Sequence, residues 1–152
     1  VPFTKTKDSM TTFVSQTKQS NCNEDEIFAM ISDMNNIDKF KAMIPEDKVK
    51  DIEFDTDSCK FTVEPVGKLG LRIVDREPCK TVKFEAEQSP IAFNLWIQLK
   101  QVAENDTRIK VTVKADLNPM IKMMVSKPIE MFIERLADGL AQIPYRELNK
   151  QV

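Results

Sequence analysis

Hydrophobic and polar residues alternate through most of the second half of the chain, and the alternation stops at one asparagine-proline pair. In TRIKVTVKADL, residues 107–117, Ile109, Val111, Val113, Ala115 and Leu117 fall on one face and Arg108, Lys110, Thr112, Lys114 and Asp116 on the other. That is the period-two signature of a half-buried strand. The same period runs through Ile52 and Phe54, then Cys59, Phe61 and Val63, then Leu69, Leu71 and Ile73. It continues in Val82, Phe84 and Ala86 and in Phe93, Leu95, Ile97 and Leu99. Turn-forming residues separate the runs: Asp55, Thr56 and Asp57, then Pro65, Pro78, Ser89 with Pro90, and Asn105 with Asp106. Connections this short predict an antiparallel meander. Residues 11–19 add an earlier strand, for about seven in all.

At Asn118 the period becomes helical. Asn118 is a cap and Pro119 takes the first helical position, where its missing N–H costs nothing. Met120, Ile121, Met124, Val125, Ile129, Phe132, Ile133, Leu136, Ala137, Leu140 and Ile143 then recur at spacings of three and four, an apolar stripe fit to lie on a sheet. Pro128 predicts a kink or a split in this helix. Upstream, Asn23 caps a helix whose first turn holds Glu24, Asp25 and Glu26 and whose apolar face is Ile27, Met30, Ile31 and Met34. A second short helix over residues 37–43 ends before Pro45. The burial requirements together predict an α+β fold: a curved antiparallel sheet of about seven strands wrapped round a long C-terminal helix, with two short helices after the first strand. Residues 10–145 form the domain, 1–9 an N-terminal tail or tag remnant, and 146–152 a C-terminal tail.

This order of elements, with SDMNNIDKF at residues 32–40, FNLWIQL at 93–99 and LNPMIKMMVSKPIEMF at 117–132, resembles the START and birch-pollen-allergen superfamily, the helix-grip proteins that include polyketide cyclases. The chain is also similar to small single-domain bacterial members of that group. The resemblance implies a cavity between the concave sheet face and the long helix, and in it an apolar ligand: a lipid, a sterol-like or a polyketide-like molecule. Two alternatives come with it, a cyclase or dehydratase-like enzyme and a protein-interaction module like the chaperone-activating branch. The glycine-rich loop of plant members is reduced here to PVGKLG, residues 65–70.

Composition narrows the choice. A chain of 152 residues has the size of one domain and buries roughly 70% of its unfolded surface. A net charge of −2 gives no global attraction to nucleic acid, and Lys39, Lys41, Lys48 and Lys50 are balanced by Asp38, Glu46, Asp47 and Asp51. No run approaches the roughly 20 apolar residues of a membrane span, and the first residues lack the apolar core of a signal peptide. Three widely spaced cysteines, Cys22, Cys59 and Cys79, read as free thiols in a reducing compartment, which predicts a cytoplasmic location. With no histidine, Ser/His and Cys/His nucleophile pairs and imidazole metal ligands are excluded. No cofactor or metal is expected. Three glycines leave no glycine-rich phosphate cradle.

The candidate ligand-binding residues are the inward sheet positions Phe54, Phe61, Leu71, Ile73, Phe84, Leu95, Ile97, Val111 and Val113, opposed by Met120, Met124, Phe132 and Leu136. The competing reading of the same set is a filled core. Asp75 continues the alternation of Leu69, Leu71 and Ile73 and so is expected toward the apolar face, where a carboxylate fixes a polar ligand group or serves as a base. It is the single catalytic candidate. Ser15, Thr17 and Gln101 are further inward candidates for one hydrogen bond each. Trp96 falls on the outward phase as a contact for a protein partner or a second copy, or is simply covered by a loop, the N-terminal tail or lysine stems.

Overall fold

The structure, a computed structural model, describes residues 10–36, 49–63 and 67–149. Its strands are β1 (Met10–Val14), β2 (Lys18–Ser20), β3 (Val49–Phe54), β4 (Ser58–Val63), β5 (Gly67–Glu77), β6 (Thr81–Glu87), β7 (Phe93–Ala103) and β8 (Asp106–Asp116). They form one antiparallel sheet in the order β1-β8-β7-β6-β5-β4-β3, with β2 also on β8. The sheet is thus seven strands wide, and the expected first strand is broken into two. The break is at Ser15. Its N–H donates to the Val111 carbonyl at 2.9 Å, its hydroxyl accepts the Val111 N–H at 2.9 Å and donates to the Gln16 carbonyl at 2.9 Å. A side-chain oxygen replaces a backbone partner, and the strand bends there. At Gly70 the neighbouring strand comes so close that a Cβ would meet the Glu87 carbonyl oxygen at 2.7 Å.

Helix α1 (Glu24–Ile31) follows β2. A single turn of 3-10 helix spans Met34–Asn36, while the helix expected over 37–43 and the tail over 1–9 lie outside the described residues. The long helix α2 (Pro119–Gln142) lies against β8, β2 and β1. Asn118 caps it, accepting the Ile121 N–H at 2.9 Å. Pro128 does not split it. Proline removes one backbone donor, but Val125 and Ile133 on either side are buried in the core, and that packing holds the helix continuous. Salt bridges from Lys18 to Glu134 (3.5 Å) and Asp138 (3.8 Å) fasten its C-terminal half to β2.

Beyond α2 the described residues are not the tail expected from residue 146 on. A short helix, α3 (Tyr145–Asn149), packs against α1, with Tyr145 wholly buried. Arg146 holds both oxygens of Glu26 at 2.7 Å each and also reaches the Asn105 side-chain oxygen at 2.6 Å. Asn23 at the start of α1 accepts from Gln101 (3.1 Å) and from the Asn105 N–H (2.7 Å). One polar clasp therefore joins α1, α3 and the β7–β8 hairpin.

The Glu26 carboxyl is lowered from 4.5 to about 2, chiefly by the Arg146 hydrogen bonds, with help from the Asn23 N–H and against a desolvation that acts in the other direction. A depressed folded-state value stabilises the protein fully above the unfolded value, and that stabilisation is lost as pH falls through the folded one. Acid titration of the unfolding free energy should show wild type losing stability between pH 4.5 and about 2. Arg146→Ala should be less stable than wild type at neutral pH, with the difference shrinking across that window. A constant difference down to pH 2 would show that the clasp does not act through Glu26 ionisation.

Candidate functional site: an apolar cleft between sheet and helix

The inner face of the sheet is one apolar surface, but its two ends are treated differently. At the β7–β8 hairpin end, where α1 packs on β6 and β7, Val82, Leu99, Ile109 and Ile97 are buried. At the other end a cleft of about 50 Å³ remains, room for a few waters or a small apolar group. The sheet contributes Phe61 from β4, Leu69 and Leu71 from β5, Phe93 and Leu95 from β7, and Val113 and Ala115 from β8. Register puts them together: Phe61 stands opposite Leu69, Phe93 opposite Ala115 and Leu95 opposite Val113. Ile91 closes the cleft from the β6–β7 loop, and Pro128, Ile129 and Phe132 roof it from α2. The Phe61 and Phe132 rings stack across it, 6.3 Å between centroids and 16° from parallel. Every lining side chain among the described residues is apolar, so the surface they form can desolvate a ligand but offers it no hydrogen bond.

Of the sequence-derived candidates, Phe61, Leu71, Leu95, Val113 and Phe132 meet in this cleft. Ile73, Phe84, Ile97 and Val111 are buried in the packed part of the core, and Phe54 and Leu136 are half-buried beside it. Met120 and Met124, expected to face the sheet, are 75% and 67% exposed. The helical period places them across the helix from Val125, and only one side can be turned inward. Leu69, Phe93 and Ala115 were missed although they share the phase of Leu71, Leu95 and Val113. Ile129 lay on the apolar stripe without being singled out. Ile91, beside a Ser-Pro turn, and Pro128 gave no periodic signal at all.

Asp75 is not inward. The β5–β6 register shifts between Ile73 and Asp75, a bulge that reverses the phase of everything after it. Asp75 is exposed and paired with Lys83. Arg76 takes the phase of Val82 instead, and its guanidinium turns to the Ser32 carbonyl at 2.8 Å and Asp57 at 2.6 Å. The other polar candidates are also used elsewhere: Ser15 in the strand break, Gln101 accepting the Glu24 N–H at 2.9 Å, and Thr17 exposed.

Trp96 points outward and lies under two lysine ammoniums, Lys83 at 5.4 Å and Lys114 at 5.9 Å from the ring centroid. Lysine stems cover this indole, a cation-π arrangement of ordinary surface strength. The three cysteines are unpaired. Burial is the main cause that pushes the Cys59 thiol up to about 12, which leaves it unreactive at neutral pH. Among the described residues no cluster of three or more acidic or cysteine side chains is placed to hold a metal ion, and no helix is long and apolar enough to cross a membrane.

No protein-family model matches the sequence. No curated protein matches it in sequence either. Solved structures do match in shape. Norcoclaurine synthase from Thalictrum flavum, in complex with dopamine and hydroxybenzaldehyde, aligns over 91% of this chain and 89% of its own with a TM-score of 0.69 at 14% identity. A START superfamily protein from Mycobacterium smegmatis aligns over 88% and 97%, TM-score 0.60, 12% identity. A Thermobifida fusca protein solved by NMR aligns over 90% and 94%, TM-score 0.63, 12% identity. At these identities the likeness is one of fold: a curved sheet gripping a long helix, as in the START and birch-pollen-allergen proteins.

Proposed function

We propose that this helix-grip protein binds an apolar small molecule in the cleft between the sheet and α2. The observation that carries the reading is the lining itself. Eleven apolar side chains from four strands, one loop and one helix converge on unfilled space, and an apolar surface next to a void gains by accepting a ligand. The stacked Phe61 and Phe132 present flat faces to whatever enters. A lipid, a sterol-like or a polyketide-like molecule fits this chemistry, and any of them larger than the present space enters by moving the helix side of the cleft. Binding is favoured over proton-transfer catalysis because the bulge after Ile73 carries Asp75 out of reach of the cleft. The three free thiols fit a reducing cytoplasm as the place of action.

The test is native mass spectrometry of gently purified protein, followed by solvent extraction. A reproducible bound mass, recovered as an apolar compound, is the expected result. A clean unliganded mass with no uptake from a panel of fatty acids, sterols and aromatic compounds would overturn the proposal.

A further inference from the structure

Three of the chain's nine phenylalanines line the cleft: Phe61 from β4, Phe93 from β7 and Phe132 from α2. Phe61 and Phe132 come from opposite walls, yet their planes are only 16° from parallel, with 6.3 Å between centroids. Carbon atoms in face contact lie about 3.5–4.0 Å apart. At 6.3 Å the two rings are therefore spaced beyond contact or slipped past each other, and in either case neither covers the other's face. Both rings border the unfilled space. A phenyl face carries the negative part of a quadrupole, and it pairs best with the edge or the offset face of another aromatic ring. An aliphatic chain meets the same face through dispersion alone.

Thickness points the same way. The open space of about 50 Å³ is well below the roughly 150 Å³ that accommodates a benzene ring, so a ring enters by spreading the helix from the sheet. An aromatic ring is one atom thick and buries its whole surface for the least spreading, whereas the puckered saturated ring of the same skeleton is thicker. Resting on the cleft-binding reading above, we infer that the ligand inserts a flat, uncharged aromatic ring system between sheet and helix, stacked on Phe61 and Phe132. Saturated chains and saturated ring systems are the poorer ligands. Any polar group of the ligand stays clear of the apolar lining, which has nothing to pair with it.

The experiment compares 2-naphthalenemethanol with its fully saturated decahydro counterpart, each titrated into the full chain and followed by protein NMR. The two share one carbon skeleton and one hydroxyl, and the saturated compound is the more hydrophobic, so transfer from water alone favours it. Wild type should bind the aromatic compound about fivefold tighter. Phe132→Leu, at a half-buried helix position, should bring the two compounds within about twofold of each other while still binding the saturated one. Phe61→Leu should do the same from the sheet side, and thermal melting confirms that each variant is folded. Equal or tighter binding of the saturated compound by wild type overturns the inference and leaves cleft binding standing. An undiminished aromatic preference in folded Phe132→Leu also overturns it, since the rings would not be its source. Binding of neither compound removes the cleft reading itself and this inference with it.

Discussion

Replacing Tyr145 by alanine should lower the unfolding free energy by about 3–5 kcal/mol, the range for removing a fully buried aromatic side chain. That is a large share of the roughly 5–15 kcal/mol that holds an ordinary domain folded. Tyr145 has no exposed surface, and its hydroxyl donates to the Leu140 carbonyl. Leu140 lies in the last turn of α2, where backbone carbonyls have no partner further along the helix, so the phenol both fills space and closes the helix end. Burial pushes its ionisation well above the ordinary phenol value, and it remains a donor at any working pH. Urea denaturation measures the loss. Tyr145→Phe keeps the ring and should cost only about 1 kcal/mol, the net worth of one hydrogen bond. An alanine variant within about 1 kcal/mol of wild type would show that α3 contributes nothing to the cooperative core, since a fully buried aromatic cannot be removed at so small a cost.

Val113→Phe should abolish ligand uptake while leaving the protein folded. Val113 is buried on β8 between Phe13 on β1 and Leu95 on β7, and its side chain lines the cleft. Enlarging a side chain in a filled core costs typically about 1–3 kcal/mol. Here the added ring has about 50 Å³ of unfilled space beside it, so the melting temperature should change little and the ring should stand where a ligand would. Ile129→Trp fills the same space from the helix side and guards against a local failure of the strand variant. Both are read by uptake of an apolar fluorescent probe and by the bound mass in native spectra. Normal uptake in two folded, occluded variants would place the ligand elsewhere on the protein.

Much of the architecture is legible in the residues themselves. Asn118 and Pro119 mark the start of α2 to the residue, and the five alternating apolar positions of residues 107–117 lie on the buried face. Tertiary contacts overrode local signals at three points. Ser15 breaks an otherwise regular strand because its hydroxyl finds the Val111 N–H, 96 residues away. The helix continues through Pro128 because burial on either side outweighs one missing hydrogen bond. A single bulged residue turns Asp75 outward, and period-two counting has no means of seeing an inserted residue.

The candidate site shows the same division. Alternation and helical spacing, which are properties of neighbouring residues, determined that an apolar sheet face meets an apolar helix and that Phe61, Leu71, Leu95, Val113 and Phe132 belong to that contact. Which part of the contact is filled and which stays open was decided only by the tertiary structure. A void exists where the separation of sheet and helix exceeds the reach of the side chains between them, and that separation belongs to the packed elements, not to neighbouring residues in the chain. The two faces of α2 follow the same rule. The sequence makes both apolar in its first turns, and only the packed fold selects which one meets the sheet and which one, with its methionines, is left facing outward.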